Sequence, residues 1–113
     1  MTKIAIPLAN HQLCLHFGHC EEFAFADVDM ETKKIEKIEY QTPPAHEPGV
    51  MPEWMGKLGV NIIITGGIGN MAQQLLIKQN IKVVIGASPM PIEDLIKSFL
   101  NNELTLGDNV CGH

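Results

Sequence analysis

The chain has 113 residues, is 45% hydrophobic and 19% charged, and carries a net charge of −5; its eight basic residues are all lysines, spread from Lys3 to Lys97. One domain spanning residues 1–113 can build a core of this size without disulfides, while scattered lysines without arginine exclude a clustered nucleic-acid surface and a bidentate phosphate or carboxylate clamp. No apolar run approaches a transmembrane helix and the N-terminus lacks a signal-peptide core, so the expectation is a cytosolic protein, off the membrane, whose three cysteines are ligands or free thiols.

Residues 3–8 read as a short buried strand, Lys3-Ile4-Ala5-Ile6-Pro7-Leu8. A polar interval follows, and then Glu22-Phe23-Ala24-Phe25-Ala26-Asp27-Val28-Asp29, a strand apolar on both faces. A turn at residues 30–33 leads to a third strand at residues 34–40, laced with Lys and Glu as an edge strand tends to be. Residues 41–50 are Pro-rich and irregular. Met51, Trp54, Met55 and Leu58 then recur at helical spacing, with Pro52 suited to a first turn. Residues 60–65 form an apolar strand, and Gly66-Gly67-Ile68-Gly69 turns it into a helix with Met71, Ala72, Leu75 and Leu76 on one face. A further buried strand occupies residues 81–85. Pro91 opens a last helix striped by Ile92, Leu95, Ile96, Phe99 and Leu100, and residues 101–113 form a polar tail without periodicity.

The order βββαβαβα describes an antiparallel meander followed by two α/β units with long apolar, hence parallel and doubly covered, strands. The expected α/β fold has a five-stranded mixed sheet in the order 3-2-1-4-5. Strand direction then brings three loops to one edge: residues 9–21, 41–50 and 66–70. Open α/β sheets bind ligands at this carboxyl edge of their parallel strands. The tail at residues 103–113, read as a flexible metal-binding segment, spans roughly 33–40 Å if extended. A last helix of about ten residues descends only about 15 Å, so the tail can return to the same edge.

Chemistry concentrates in the first of these loops. Asn10-His11-Gln12-Leu13-Cys14-Leu15-His16-Phe17-Gly18-His19-Cys20 holds three of the five histidines and two of the three cysteines. Imidazole and thiolate form a soft-to-borderline donor set, suited to zinc, copper or iron–sulfur chemistry rather than magnesium or calcium. Cys111-Gly112-His113 repeats the theme, and His46 stands in a loop stiffened by Pro43, Pro44 and Pro48. The expected metal ligands are His16, His19, Cys20, Cys14, His46, Cys111 and His113. Each has a plainer alternative. His16 and His19 also suit a surface pair stacked on Phe17, Cys20 and Cys14 suit buried inert thiols, and His46 suits a structural hydrogen bond. No C-x2-C pair is present, which argues against a structural zinc knuckle.

Gly66, Gly67, Gly69 and Asn70 form the second candidate site. A Gly-rich turn between strand and helix presents backbone N–H groups and a helix N-terminus, which favour an anion. The acidic ribose reader of a dinucleotide fingerprint is missing: the corresponding region is Gly86-Ala87-Ser88-Pro89. Tight strand–helix packing is the alternative for this turn.

His16-Phe17-Gly18-His19-Cys20-Glu21-Glu22-Phe23, the segment from Pro43 through His46 and Pro48 to Trp54, the turn at Gly66-Gly67-Ile68-Gly69 and the terminal Cys111-Gly112-His113 occur in this order. Together they resemble the dinitrogenase iron–molybdenum cofactor biosynthesis family. That group comprises NifX-like and NafY-like proteins and includes the orange protein, which carries a molybdenum–copper–sulfide cluster. The resemblance implies a ribonuclease-H-like fold and a nitrogen-fixation-related role in binding or carrying a metal–sulfur cluster (Mo/Fe or Mo/Cu), its precursor, or a soft transition metal. It implies a cluster-assembly client or a P-loop ATPase as partner. His19 stands where many members have Arg, and the terminal Cys-Gly-His departs from the usual Cys-Asp-His. A nuclease on this fold is excluded, because Ile4-Ala5-Ile6 and Ile62-Ile63-Ile64 place no carboxylate on the central strands to hold magnesium. The remaining alternative to a non-enzymatic cluster carrier is a nucleotide- or anion-responsive regulatory or adaptor domain using the Gly-rich turn.

Overall fold

The structure, a computed structural model, describes residues 2–9, 12–13, 22–43, 50–87, 90–104 and 106–107. In chain order the elements are β1 (Thr2–Ala9), β2 (Gln12–Leu13), β3 (Glu22–Asp29), β4 (Lys34–Gln41), α1 (Val50–Leu58), β5 (Ile62–Thr65), α2 (Asn70–Lys78), β6 (Lys82–Ile85) and α3 (Ile92–Leu100). The long strands line up as β4-β3-β1-β5-β6, with β3 antiparallel to both of its neighbours and β1, β5 and β6 parallel. Counted without the short β2, this is the expected order 3-2-1-4-5. The reason is compositional: β5 is buried along its whole length, and a strand covered on both faces belongs in the middle of a parallel set.

The two-residue alternation of β1 and β3 divides the core. Ile4, Ile6, Ala24, Ala26 and Val28 face α3, where they meet Leu95 and Ile96. Ala5, Phe23 and Phe25 face the other way, toward Met51 and Met55 of α1 and Leu76 of α2. Small residues on one side let α3 lie close, while aromatic bulk on the other fills the space under two helices. Trp54 meets Phe23 and Phe25 edge-on at centroid distances of 5.7 and 5.4 Å.

Three details differ from the sequence reading. First, β2 is an extra strand, paired with the end of β1 at Leu8↔Leu13 and Ala9↔Gln12. Second, Met71 is 70% exposed and takes no part in the apolar face of α2, which rests on Leu76 with support from Ala72 and Leu75. Met71 lies in the first turn, at the open edge of the sheet, where no neighbouring element covers it. Third, the pairing of β3 with β4 shifts between Asp27 and Val28, opposite Lys37 and Ile35, leaving Glu36 as the extra residue of a bulge. The bulge turns Ile35 and Ile38, three apart in sequence, toward the same face, where both pack on the α3 side of the core.

Candidate functional site

The carboxyl edge of the parallel strands is defined by several described chain ends. β1 ends there at Ala9. Leu8 pairs with Leu13 of β2 on one side and with Glu22 of β3 on the other. β4 ends alongside, since Phe23 pairs with Gln41. β5 and β6 terminate at Thr65 and Ile85. α1 begins at this edge too: its far end is fixed at the opposite edge, where Leu58 O accepts from Lys3 Nζ at 3.1 Å, and nine residues of helix rise only about 13 Å.

The donor-bearing segments all hang from these ends. Residues 14–21 connect Leu13 to Glu22, two points on opposite sides of Leu8 and therefore about 10 Å apart by strand spacing. The nine steps between them would cover about 30 Å if straight. Residues 10–11 link the paired Ala9 and Gln12, and residues 44–49 link β4 to α1. The five histidines and three cysteines of the chain, eight residues in all, lie in these segments or in the last six residues of the sequence. The expected ligands His16, His19, Cys20, Cys14, His46, Cys111 and His113 thus lie outside the described residues. Among the described residues no three His, Cys, Asp or Glu groups are placed to hold a metal.

The approach to the C-terminal segment is fixed on the same edge. After α3, Glu103 N donates to Ser98 O at 2.8 Å, and the chain turns back along the sheet. Leu106 pairs with Ala87 in an antiparallel bridge, and Gly107 N donates to Gly86 O at 2.7 Å. Gly86 adopts φ +94, and a Cβ there would collide with Gly107 O. Glycine is therefore required on both conformational and steric grounds. Sequence reading missed this pair because the contact is long-range: Gly86 follows a strand and Gly107 sits in a polar tail. The six residues beyond Gly107 carry Cys111 and His113, and extended they reach about 20 Å, several strand spacings across the edge.

The Gly-rich turn divides in two. Gly66 and Gly67 are buried, and the buried Thr65 hydroxyl donates to Gly67 O at 3.1 Å. Thr65 O accepts from both Gly86 N and Ala87 N, at 3.0 and 3.3 Å, tying the ends of β5 and β6 together. Gly69 and Asn70 are exposed. Gly69 has an ordinary φ of −68, and a Cβ on it would meet nothing within 4 Å, so packing does not require glycine there. α2 starts from Gly69 without a side-chain cap and without an acidic residue in its first turn. Its first N–H groups, with the positive end of the helix dipole, make this spot hospitable to negative charge.

Comparison with known proteins agrees with this architecture. Residues 1–102 match the family described as dinitrogenase iron-molybdenum cofactor, and the chain belongs to that family. An uncharacterized protein of Methanocaldococcus jannaschii is 32% identical over 107 residues, which is 92% of this chain and 90% of that protein. The crystal structure of the protein PH0822 superposes with a TM-score of 0.85 at 28% identity, covering 94% of this chain and 96% of the other. The apo form of the orange protein from Desulfovibrio gigas shares the fold, with a TM-score of 0.73 at 22% identity over 96% and 95% of the two chains.

Proposed function

We propose that this protein binds a metal–sulfide cluster or its precursor, of the molybdenum–iron or molybdenum–copper type, and carries it to a client protein. A single soft transition metal held by the same donors is the simplest form of this cargo. The observation that supports the proposal is where the flanking chain lies: the described residues next to every segment that contains a histidine or cysteine stand at one edge of the sheet. Cys14, His16, His19 and Cys20 are the principal donors in this reading. The same reading adds His46, Cys111 and His113 as further donors. Thiolate and imidazole suit copper, zinc and iron–sulfur species, so the donor set fits such cargo. The bare N-terminus of α2, at Gly69 and Asn70, offers uncompensated N–H groups toward a sulfide- or oxyanion-rich cluster. The role is that of an accessory protein rather than a catalyst.

The test is anaerobic purification with metal analysis, followed by reconstitution with iron and sulfide, with thiomolybdate plus copper, or with zinc. At least one should bind tightly and stoichiometrically in the wild type and fail in a His16→Ala/His19→Ala/Cys20→Ala variant. Equal behaviour of the two proteins in all three trials rejects the proposal. Affinity should also fall as pH drops through about 6.5, because imidazole and thiol donors must be deprotonated to bind. A second reading, a nucleotide- or anion-responsive domain, rests on the same uncapped helix start. Binding of a nucleotide or inorganic phosphate with loss of affinity in Gly69→Asp would favour it.

A further inference from the structure

The two faces of the sheet are covered unequally. Among the described helices, α1 and α2 share one face, whereas α3 covers the other. Beside α3, over the edge strand β4, lies an open groove of about 420 Å³ lined by Lys33, Lys34, Ile35, Ile38, Glu93 and Lys97. Its floor is apolar, since the β-bulge turns both Ile35 and Ile38 toward it. Its rim is cationic. Three of the eight lysines meet one glutamate, a local balance of 3 − 1 = +2 in a chain of −5. Among the described residues the ion pairs join Lys37 to Glu39 and Lys57 to Glu53, and none involves the three lysines of the rim.

Lys33 adds an independent sign. It occupies the left-handed region at φ 58, in a hairpin turn where its N–H donates to Asp29 O at 2.8 Å. Glycine, asparagine or aspartate fit such a position better, and a lysine there carries a backbone cost. A charged residue standing at a position that disfavours it locally points to a use for the charge.

We infer that this groove docks an acidic, partly apolar segment of a partner protein, seated on Ile35 and Ile38 and held by Lys33, Lys34 and Lys97. A long uniform polyanion fits worse. Nucleic acid or an anionic membrane would extend past the three lysines onto a chain whose net charge is −5, whereas a short segment meets only the local excess of positive charge. The lysines from the β3–β4 turn lie at the end of the sheet away from the histidine- and cysteine-bearing loops, because β4 starts there and ends at the site edge. A docked partner would leave that edge open. The inference does not depend on what the site edge binds.

The test is photo-cross-linking in the native cell from a photoreactive residue placed at Glu93, with mass spectrometry reading the sequence attached. The expected product is one recurrent partner segment with a clear acidic excess. A synthetic peptide of that sequence should bind the purified chain, shifting the amide signals of residues 34–38 and 93–97. Binding should weaken about tenfold or more in a Lys33→Gly/Lys34→Gln/Lys97→Gln variant, the sum of three exposed charge contacts. Lys33→Gly alone should weaken the peptide while leaving the fold as stable or more so, a split that a purely structural lysine would not give. Attachment to nucleic acid, lipid or a second copy of this chain, to segments without acidic excess, or to nothing at all overturns the inference. Peptide affinity indifferent to the triple substitution overturns it as well.

Discussion

The two ends of the sheet are built differently. At the end away from the site, Asn61 ties three strands at once. Lys3 N donates to its Oδ1 at 2.8 Å, Asn61 N donates to Lys3 O at 2.9 Å, and Lys82 N donates to Asn61 O at 3.0 Å. Asp29 closes the β3–β4 turn by accepting from the N–H groups of Glu31 and Thr32. At the site end the strands finish in glycines and long connections, and the backbone ties among the described residues include Thr65 O to the Gly86 and Ala87 amides, Gly86 O to Gly107, and the short β1–β2 ladder. One end fixes the register of the scaffold. The other spends its residues on loops that can carry chemistry, the usual division in open α/β sheets.

Gly86→Ala is the substitution expected to disturb this contrast most. The new methyl would collide with a backbone oxygen rather than a movable side chain, and φ +94 is unfavourable for alanine. Leu106 and Gly107 would have to leave, breaking the hydrogen bond and the Ala87 bridge. A loss of about 1–3 kcal/mol is expected in urea unfolding, in line with one strained residue plus one hydrogen bond. Hydrogen exchange at the Gly107 amide should accelerate strongly, and bound metal should dissociate faster if the terminal donors contribute. Gly107→Ala is the control, because a Cβ there would meet Gly86 O only at 3.6 Å, an ordinary contact. Equal destabilisation by both substitutions would show that the close approach at Gly86 is not what holds the tail.

Asn61→Ala should cost less, about 0.5–1.5 kcal/mol, because it removes a single side-chain acceptor at an exposed position while the backbone bonds persist. Asn61→Asp keeps an acceptor for Lys3 N–H and should stay near wild type. Both should leave metal affinity unchanged, since they act at the far end. A metal-binding defect in Asn61→Ala would mean that the two ends are coupled through β1.

These ends were unequally legible in the sequence. Strand identity and order could be read because burial on two faces writes itself as continuous runs such as Ile62-Ile63-Ile64, and burial with alternating bulk as Phe23-Ala24-Phe25-Ala26. The limits of β3 were readable to the residue, since polar residues bracket it in the sequence. Strand direction likewise follows from the element order, and with it the edge at which β1, β4, β5 and β6 end. The ties at each end were not readable. Asn61, Gly86 and Gly107 are single residues whose partners lie far away in sequence, and periodicity says nothing about such contacts. Met71 shows the same limit in reverse: it has the right spacing for a core face, but the helix starts beyond the cover of its neighbours. The conformation of the histidine- and cysteine-bearing segments is a matter of loop backbone, on which repeat patterns are silent.

The smallest expected effect lies at Asp29 and concerns pH. Its carboxylate accepts from Thr32 N–H and from Glu31 N–H, and these bonds to the charged form hold its pKa below the usual carboxylate value. A depressed folded pKa stabilises the turn fully above the unfolded value near about 3.9, and that contribution fades as pH falls through the lower, folded value. The group is fully exposed, so water competes for it and the global effect stays small. The local signature should be clear. In an acid titration followed by NMR, the Thr32 and Glu31 amides should move together with the Asp29 carboxyl carbon, at a pH below that of an ordinary aspartate. Asp29→Asn keeps an oxygen acceptor but cannot titrate, so the same amides should lose this acid limb while the turn persists. Gly86, Ala87 and Gly107, tied at the other end through backbone groups alone, should be indifferent to the substitution. An Asp29 that titrates at the ordinary carboxylate value would mean that its hydrogen bonds from Thr32 and Glu31 do not persist in solution, leaving the Lys33 N to Asp29 O bond to close the turn.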